Sequence, residues 1–218
     1  MESLLLYLTQ LQLNNNKAWF DTHKKEFDKV KGEFQSFISE VLQLIVQFDK
    51  SIEEVQAKDC IFRIYRDVRF SNDKTPYKNH FGAFISHKGK KSNGPGYYLH
   101  IQPGNHSFIG GGIYMPQPDE LSKIRQEIDY NGQNLLTILD TPSFKHYFPK
   151  LWDEDKLSRP PKGYEATHPM VELLKLKSFI VSYPVSDEDL KSSKIKETIR
   201  PIFEQQFLLH EFLNEALS

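Results

Sequence analysis

From Phe20 to Phe48 the apolar residues return at steps of three, four or seven: Phe20, Phe27, Val30, Phe34, Phe37, Ile38, Val41, Ile45 and Phe48. Such a stripe predicts one amphipathic helix of about thirty residues. Lys24, Lys25, Lys29 and Lys31 lie off it. Asn16 is placed to cap its start, and Gly32 to bend it. Residues 3–13 predict a shorter helix before it, closed by the asparagines at 14–16. The aromatic rings of the stripe read as core.

The period then changes. Residues 61–70 alternate, with Phe62, Ile64, Arg66, Val68 and Phe70 on one side and Ile61, Arg63, Tyr65, Asp67 and Arg69 on the other. Period two with β-branched and aromatic content predicts a strand. Further strands are predicted over 80–87, 97–102 and 107–114, with turn signals at Asn93-Gly94 and Pro103-Gly104. Short connections between successive strands imply an antiparallel meander. Pro118 sits near the start of a helix carrying Leu121, Ile124 and Ile128, closed by Asn131-Gly132. Residues 133–172 are less regular and include a proline-stiffened loop, and 174–185 offer one more strand. Ser186 with Asp189 approximates a capping box before C-terminal helices interrupted at Pro201. The expected fold is a single α+β domain over 1–218. Its central antiparallel sheet, a meander of about four to five strands, packs with N- and C-terminal helices.

Composition changes this picture little. The chain has 218 residues, 39% hydrophobic and 26% charged, values ordinary for a soluble globular protein. The formal net charge of -1 makes nucleic acid an improbable partner for the chain as a whole. The distribution is uneven, however: residues 60–91 hold eight Lys/Arg against two Asp. Cys60 is the single cysteine, which excludes an intramolecular disulfide and a multi-cysteine zinc site. The opening segment lacks a basic leader and its apolar run is broken at Thr9 and Gln10, so the expectation is a cytoplasmic protein without membrane association.

Candidate chemistry concentrates in FRIYRDVRFSNDKTPYKNHFG, residues 62–82. Arg63, Arg66 and Arg69, with Lys74 and Lys78, are the residues to grip a phosphate or carboxylate, because a guanidinium donates two parallel hydrogen bonds to such groups. Asp67, itself counted among the ligand-binding candidates, and Asp73 offer the opposite outcome, an internal ion-pair network. The loop after Arg69 is stiffened by Pro76, and Asn72 or Asp73 can form an Asx-turn in it. Tyr65, Tyr77 and Tyr98 would frame a ligand. His80 and His100 would move protons if there is turnover, since histidine titrates near neutrality. Gly110, Gly111 and Gly112 weaken a strand and so imply a close approach by backbone, ring or ligand, with Gly111 and Gly112 counted among the ligand-binding candidates and the rings of Tyr98 or Tyr114 as the packing alternative. Cys60 stands beside the arginines, which would favour its thiolate, although a lone cysteine before an apolar strand usually packs as core. No metal site is expected, since HxH, HxD and HExxH patterns are absent. The cofactor is left open.

The segments NNNKAWF, FRIYRDVRFSNDKTPYKNHFG, GPGYYLHI, GGGIYMP and PPKGYEATHP, in that order, resemble the landmarks of a widespread bacterial and fungal domain-of-unknown-function family, DUF2461. The resemblance runs over essentially the whole chain. It implies a single-domain, cytoplasmic protein and specifies no reaction. Family members often carry an acidic residue before the His-Pro pair, where this chain has Thr167, a residue without acid/base capacity.

The reading that follows is a protein binding a small anionic, phosphate- or carboxylate-bearing ligand, with enzymatic action on a phosphorylated metabolite as an extension. The alternatives are an interaction module that docks an acidic partner or nucleic acid, and a purely structural ion-pair cluster.

Overall fold

A computed structural model describes residues 1–218. The chain opens with helix α1, Glu2–Leu13, whose Leu4, Leu5, Leu8 and Leu11 are buried. The expected thirty-residue helix is two helices, α2 (Lys17–Thr22) and α3 (Lys24–Ile45). The break falls at His23, and α3 runs on through Gly32. Its cause is local. The Thr22 hydroxyl hydrogen-bonds the carbonyls of Ala18 and Trp19, and the His23 ring, stacked on Trp19 at 4.0 Å, reaches the same Trp19 carbonyl through Nδ1 at 2.8 Å. The Trp19 carbonyl keeps its helical partner, the His23 N–H at 3.1 Å, and the added side-chain bonds bend the chain at this turn. Asn16 caps α2, its Oδ1 accepting from the Trp19 N–H at 3.0 Å.

A short helix α4, Ala57–Cys60, leads to four strands: β1 (Phe81–Ile85), β2 (Gly96–Ile101), β3 (Ser107–Ile113) and, later, β4 (Phe179–Val185). Their order in the sheet is β1-β2-β3-β4, a meander. Between β3 and β4 come α5 (Pro118–Asp140), α6 (Pro142–Tyr147) and α7 (Val171–Leu174). After β4, Ser186 caps α8 (Asp187–Lys191) by accepting from the Asp189 N–H, while the Asp189 carboxylate accepts from the Ser186 N–H. The last helix, α9, spans Ile195–Leu217. This is the α+β arrangement the periodicities predict, with the strand count at four.

The predicted strand over 61–70 does not form. Only two isolated antiparallel bridges remain, Ile61 with Ala83 and Tyr65 with Tyr77. The Arg66 N–H donates to the Pro76 carbonyl at 2.9 Å, but Pro76 has no N–H to return, so the ladder ends there. Beyond it Asp67 and Asp73 turn the chain by accepting from the N–H groups of Arg69 and Thr75. Phe70, expected on an apolar face, is 95% exposed. Two further departures concern helices. Asn131 kinks α5 (φ -125°, ψ 20°) without closing it, and α9 passes through Pro201. Buried Ile199, Ile202, Phe203, Leu209 and Leu213 hold that helix on both sides of the proline.

Two compact units are interleaved along the chain. One comprises Met1–Lys90, Tyr98–Ile109 and Pro184–Arg200; the other comprises Lys91–Tyr97, Gly110–Tyr183 and Pro201–Ser218. In the first, the stripe of α3 meets β1, with Phe27 and Phe34 at 6.1 and 5.2 Å from the Phe81 ring. In the second, Tyr97 of β2 lies edge-on to Phe203 and His210 of α9, at 5.5 and 4.4 Å. Gly32 faces open space within α3, and a methyl group added there would meet nothing within 4 Å. Gly32→Ala should therefore stabilise the protein by about 0.5–1 kcal/mol. A rise in the urea midpoint with an unchanged m-value is the expected readout, and a fall would contradict it.

Candidate functional site

The site belongs to the first unit and starts from the pleat of β2. Leu99 and Ile101 point into the core, whereas Tyr98 and His100 are only partly buried on the opposite face. His80, just before β1, stacks on the His100 ring at 4.1 Å, and Phe108 of β3 stacks on it at 4.7 Å. Tyr98 lies against this row, its ring 5.6 Å from Phe108. Gly82 makes room for it: a Cβ there would stand 3.0 Å from the Tyr98 hydroxyl.

Hydrogen bonds fix the state of His100. Its Nε2 lies 3.0 Å from Gln102 Oε1, an acceptor, so Nε2 carries the proton and donates. Nδ1 then accepts from the Tyr98 hydroxyl at 3.2 Å. Both ring nitrogens are engaged in the neutral form, and burial holds the pKa of His100 below the usual histidine value. His80 is pushed down further, to about 4, first by burial and then by His100 and Lys78. At neutral pH the pair carries no charge.

Beside His80 opens a cleft of about 380 Å³. Arg66, Lys78 and His80 supply its basic groups, Asp73 its one carboxylate, and Gln12, Asn15, Thr75, Tyr77 and Asn79 the rest of its wall. Asn15 builds it, donating through Nδ2 to the Tyr77 carbonyl at 2.9 Å and accepting at Oδ1 from the Tyr77 N–H at 3.1 Å. One side chain thereby imitates a strand partner and fixes the backbone next to Lys78. Tyr77 itself is buried and stacked on Phe20 at 4.1 Å, so it frames the cleft by packing.

The expected cations divide into two groups. Arg66 is held by Asp73 at 2.5 Å, by the carbonyl and hydroxyl of Thr75, and by Ser71. Arg69 pairs with Asp67 at 2.6 Å on the surface, and Lys74 donates to the Val68 carbonyl. Arg63 and Lys78 have no carboxylate within ion-pair distance. Arg63 is exposed, while Lys78 is partly buried with its Nζ 5.4 Å from the Phe62 ring centre. Burial, and then the field of Arg63, lower the pKa of Lys78.

Of the remaining candidates, Tyr65 is 46% exposed and packs beside Tyr77 and Phe20. Gly111 and Gly112 lie in the second unit and do not line the cleft. A Cβ on Gly111 would stand 2.5 Å from Gln206 Oε1, and one on Gly112 would stand 2.0 Å from the Phe179 carbonyl oxygen. Backbone and α9 side chains, and not the rings of Tyr98 or Tyr114, make the close approach at those two glycines. Cys60 is buried and its thiol is pushed up to about 11, burial outweighing Lys90, the one cation that acts on it; the arginines do not. No three His, Cys, Asp or Glu side chains converge as metal ligands would.

Sequence reasoning missed Gln12, Asn15, Thr75 and Asn79. The three asparagines at 14–16 were the available signal, but they read only as a helix stop and, at Asn16, a cap. A larger hollow of about 440 Å³, lined by α3 and the 52–58 segment, brings together only Glu53 and Lys58 as charged groups, and none of the expected residues.

The first unit thus defines a class: a small α+β protein with a polar, cation-bearing cleft beside a histidine–tyrosine row. By sequence the chain belongs to the family described as conserved hypothetical protein (DUF2461), which it matches over residues 3–212. Comparison with curated proteins gives no match, and neither does comparison with solved structures. No helix is long and apolar enough to cross a membrane.

Proposed function

We propose that this protein binds a small anion, through a phosphate or carboxylate group, in the cleft at Lys78. One observation carries the reading: Lys78 is a partly buried cation without a carboxylate partner, placed beside a second unpaired cation, Arg63. Withdrawing an ammonium from water is unfavourable unless an anion compensates it. The ion-pair network accounts for Arg66 and Arg69, whose carboxylates are in place, and it leaves Lys78 unexplained. Arg66, fixed by Asp73 and Thr75, forms a rigid second wall. Binding is favoured over proton transfer as the primary role. His100 has both nitrogens engaged, and a base with a pKa near 4 is poorly matched to neutral pH. A cytoplasmic setting suits the single free thiol at Cys60.

The test is thermal shift of the purified protein with phosphate, phosphorylated metabolites and dicarboxylates, with Lys78→Met and Arg69→Ala alongside. A ligand at a hundred times its Kd stabilises by about 2.7 kcal/mol. That shift should persist in Arg69→Ala and vanish in Lys78→Met, while the apo melting temperature of Lys78→Met rises because a desolvated charge is gone. A shift that survives Lys78→Met, or no shift with any anion, sinks the reading.

A second reading has its own observation. Phe70 is 95% exposed at the tip of the 66–75 loop with the Arg69 guanidinium 5.7 Å from its ring centre, a combination suited to docking an acidic partner. Affinity there would fall steeply with salt.

A further inference from the structure

We infer that the ligand of the Lys78 cleft is a hydroxyl-rich anion, a sugar phosphate or sugar acid. The inference rests on the anion-binding reading and specifies the body to which the anionic group is attached.

The argument is the chemistry of the wall. The cleft of about 380 Å³ has no aliphatic side chain in its lining. Pockets for small organic ligands usually present mostly apolar and aromatic walls with a few polar groups placed among them. Here the polar share is higher, polar and apolar atoms lining the cleft about equally. The only carbocyclic ring is that of Tyr77, which is buried against Phe20 and offers no stacking platform. A nucleobase, an acyl chain or an aromatic acid would therefore set much of its apolar surface against polar groups and desolvate them.

The hydrogen-bonding capacity left over points the same way. Asn15 and Asp73 are occupied within the protein, the first by the Tyr77 backbone and the second by Arg66 and Thr75. The exposed Gln12 side chain makes no hydrogen bond within the protein, and the Asn79 side chain has only a long contact of 3.4 Å from its Oδ1 to His80 Nδ1. A carboxamide offers both donors and an acceptor. A bare phosphate or carboxylate uses donors alone and would leave the Gln12 carbonyl facing anionic oxygen. Alcohol groups accept from the amide N–H and donate to the amide oxygen, so they match both halves. The cleft also exceeds what a bare phosphate fills, since volumes of about 300–1,000 Å³ are those that bury whole organic ligands. Lys78 then holds the anionic group, and Gln12 and Asn79 hold hydroxyls of the body.

Calorimetric titration of the full chain tests this with inorganic phosphate, acetate, ribose 5-phosphate, gluconate and adenosine monophosphate, on wild type, Lys78→Met and the double variant Gln12→Ala/Asn79→Ala. Apo melting curves confirm that each variant folds. The expected result is ribose 5-phosphate or gluconate binding at least about tenfold tighter than phosphate or acetate, the gain expected of roughly one extra net hydrogen bond. The double variant should lose that advantage while keeping its affinity for the bare anion, and Lys78→Met should weaken both. Equal affinity for sugar-borne and bare anions overturns the inference and leaves the anion site standing. Adenosine monophosphate binding tightest, or an advantage that survives the double variant, overturns it as well. Absence of binding by every probe removes the anion site itself.

Discussion

Gly112→Ala should cost the fold roughly 3–5 kcal/mol, the sum of a strained backbone and a steric clash that cannot relax. Gly112 sits in β3 at φ 109°, a region L-residues rarely enter. A methyl group there would lie 2.0 Å from the carbonyl oxygen of Phe179 and 3.0 Å from its carbonyl carbon, both main-chain atoms of β4. A flexible side chain could swing away, but a strand backbone cannot. Gly163 separates the two contributions. It has φ 96° with nothing within 4 Å, so Gly163→Ala should lose only the strain, about 1–2 kcal/mol. Urea unfolding of the two variants beside wild type measures the difference, and equal losses would show that β4 yields. The glycine run that weakens β3 locally is thus what lets β4 approach.

Acid should weaken the fold through His210, and His210→Leu should remove much of that sensitivity. His210 is 3% exposed, its Nε2 has no hydrogen-bond partner, and burial pushes its pKa down to about 3. Gln206, one turn earlier on α9, is fully buried with both amide atoms unpartnered. The folded pKa lies below the unfolded value near 6.5, so protonation favours the unfolded chain. Stability from this group is complete above pH 6.5 and is lost as the pH falls from 6.5 towards 3. At about 1.4 kcal/mol per pKa unit the whole window is worth on the order of 5 kcal/mol. His80, with its pKa near 4, adds loss of the same sign between 6.5 and 4 and is retained in the variant. Denaturant unfolding at pH 7, 5 and 4 should therefore show His210→Leu losing distinctly less than wild type. Parallel losses would mean that His210 becomes hydrated before it protonates.

The legible parts of this fold are those that local chemistry decides. The stripe of α3, the Asn16 cap, the Ser186–Asp189 capping box and the four strands all follow from period and turn residues within a few positions. Where the reading failed, a distant or competing bond decided. Residues 61–66 alternate as a strand should, but their ladder stops at Pro76, ten residues beyond Arg66. His23 breaks a faultless apolar stripe through side-chain bonds to carbonyls, and Pro201 is carried within α9 by packing along the helix. The site was legible as a cluster of charge and illegible as a cleft. Arg63, Arg66, Arg69 and Lys78 are equivalent letters in the sequence. Loop geometry alone gives Arg66 and Arg69 a carboxylate each and leaves Lys78 without one. Asn15 reaches Tyr77 across sixty-two positions, a separation no periodicity encodes.

That clamp also changes how the NNN run should be read as information. Asn14 closes α1 with its side chain on the Gln10 carbonyl, Asn15 pairs with a backbone far along the chain, and Asn16 caps α2. The third position has four near-synonyms, since Ser, Thr, Asp and Gly also serve at an N-cap. The second has none of those, because only a carboxamide at that reach donates and accepts at once. Three identical letters in a row thus carry unequal weight, and the middle one is the word that cannot be paraphrased.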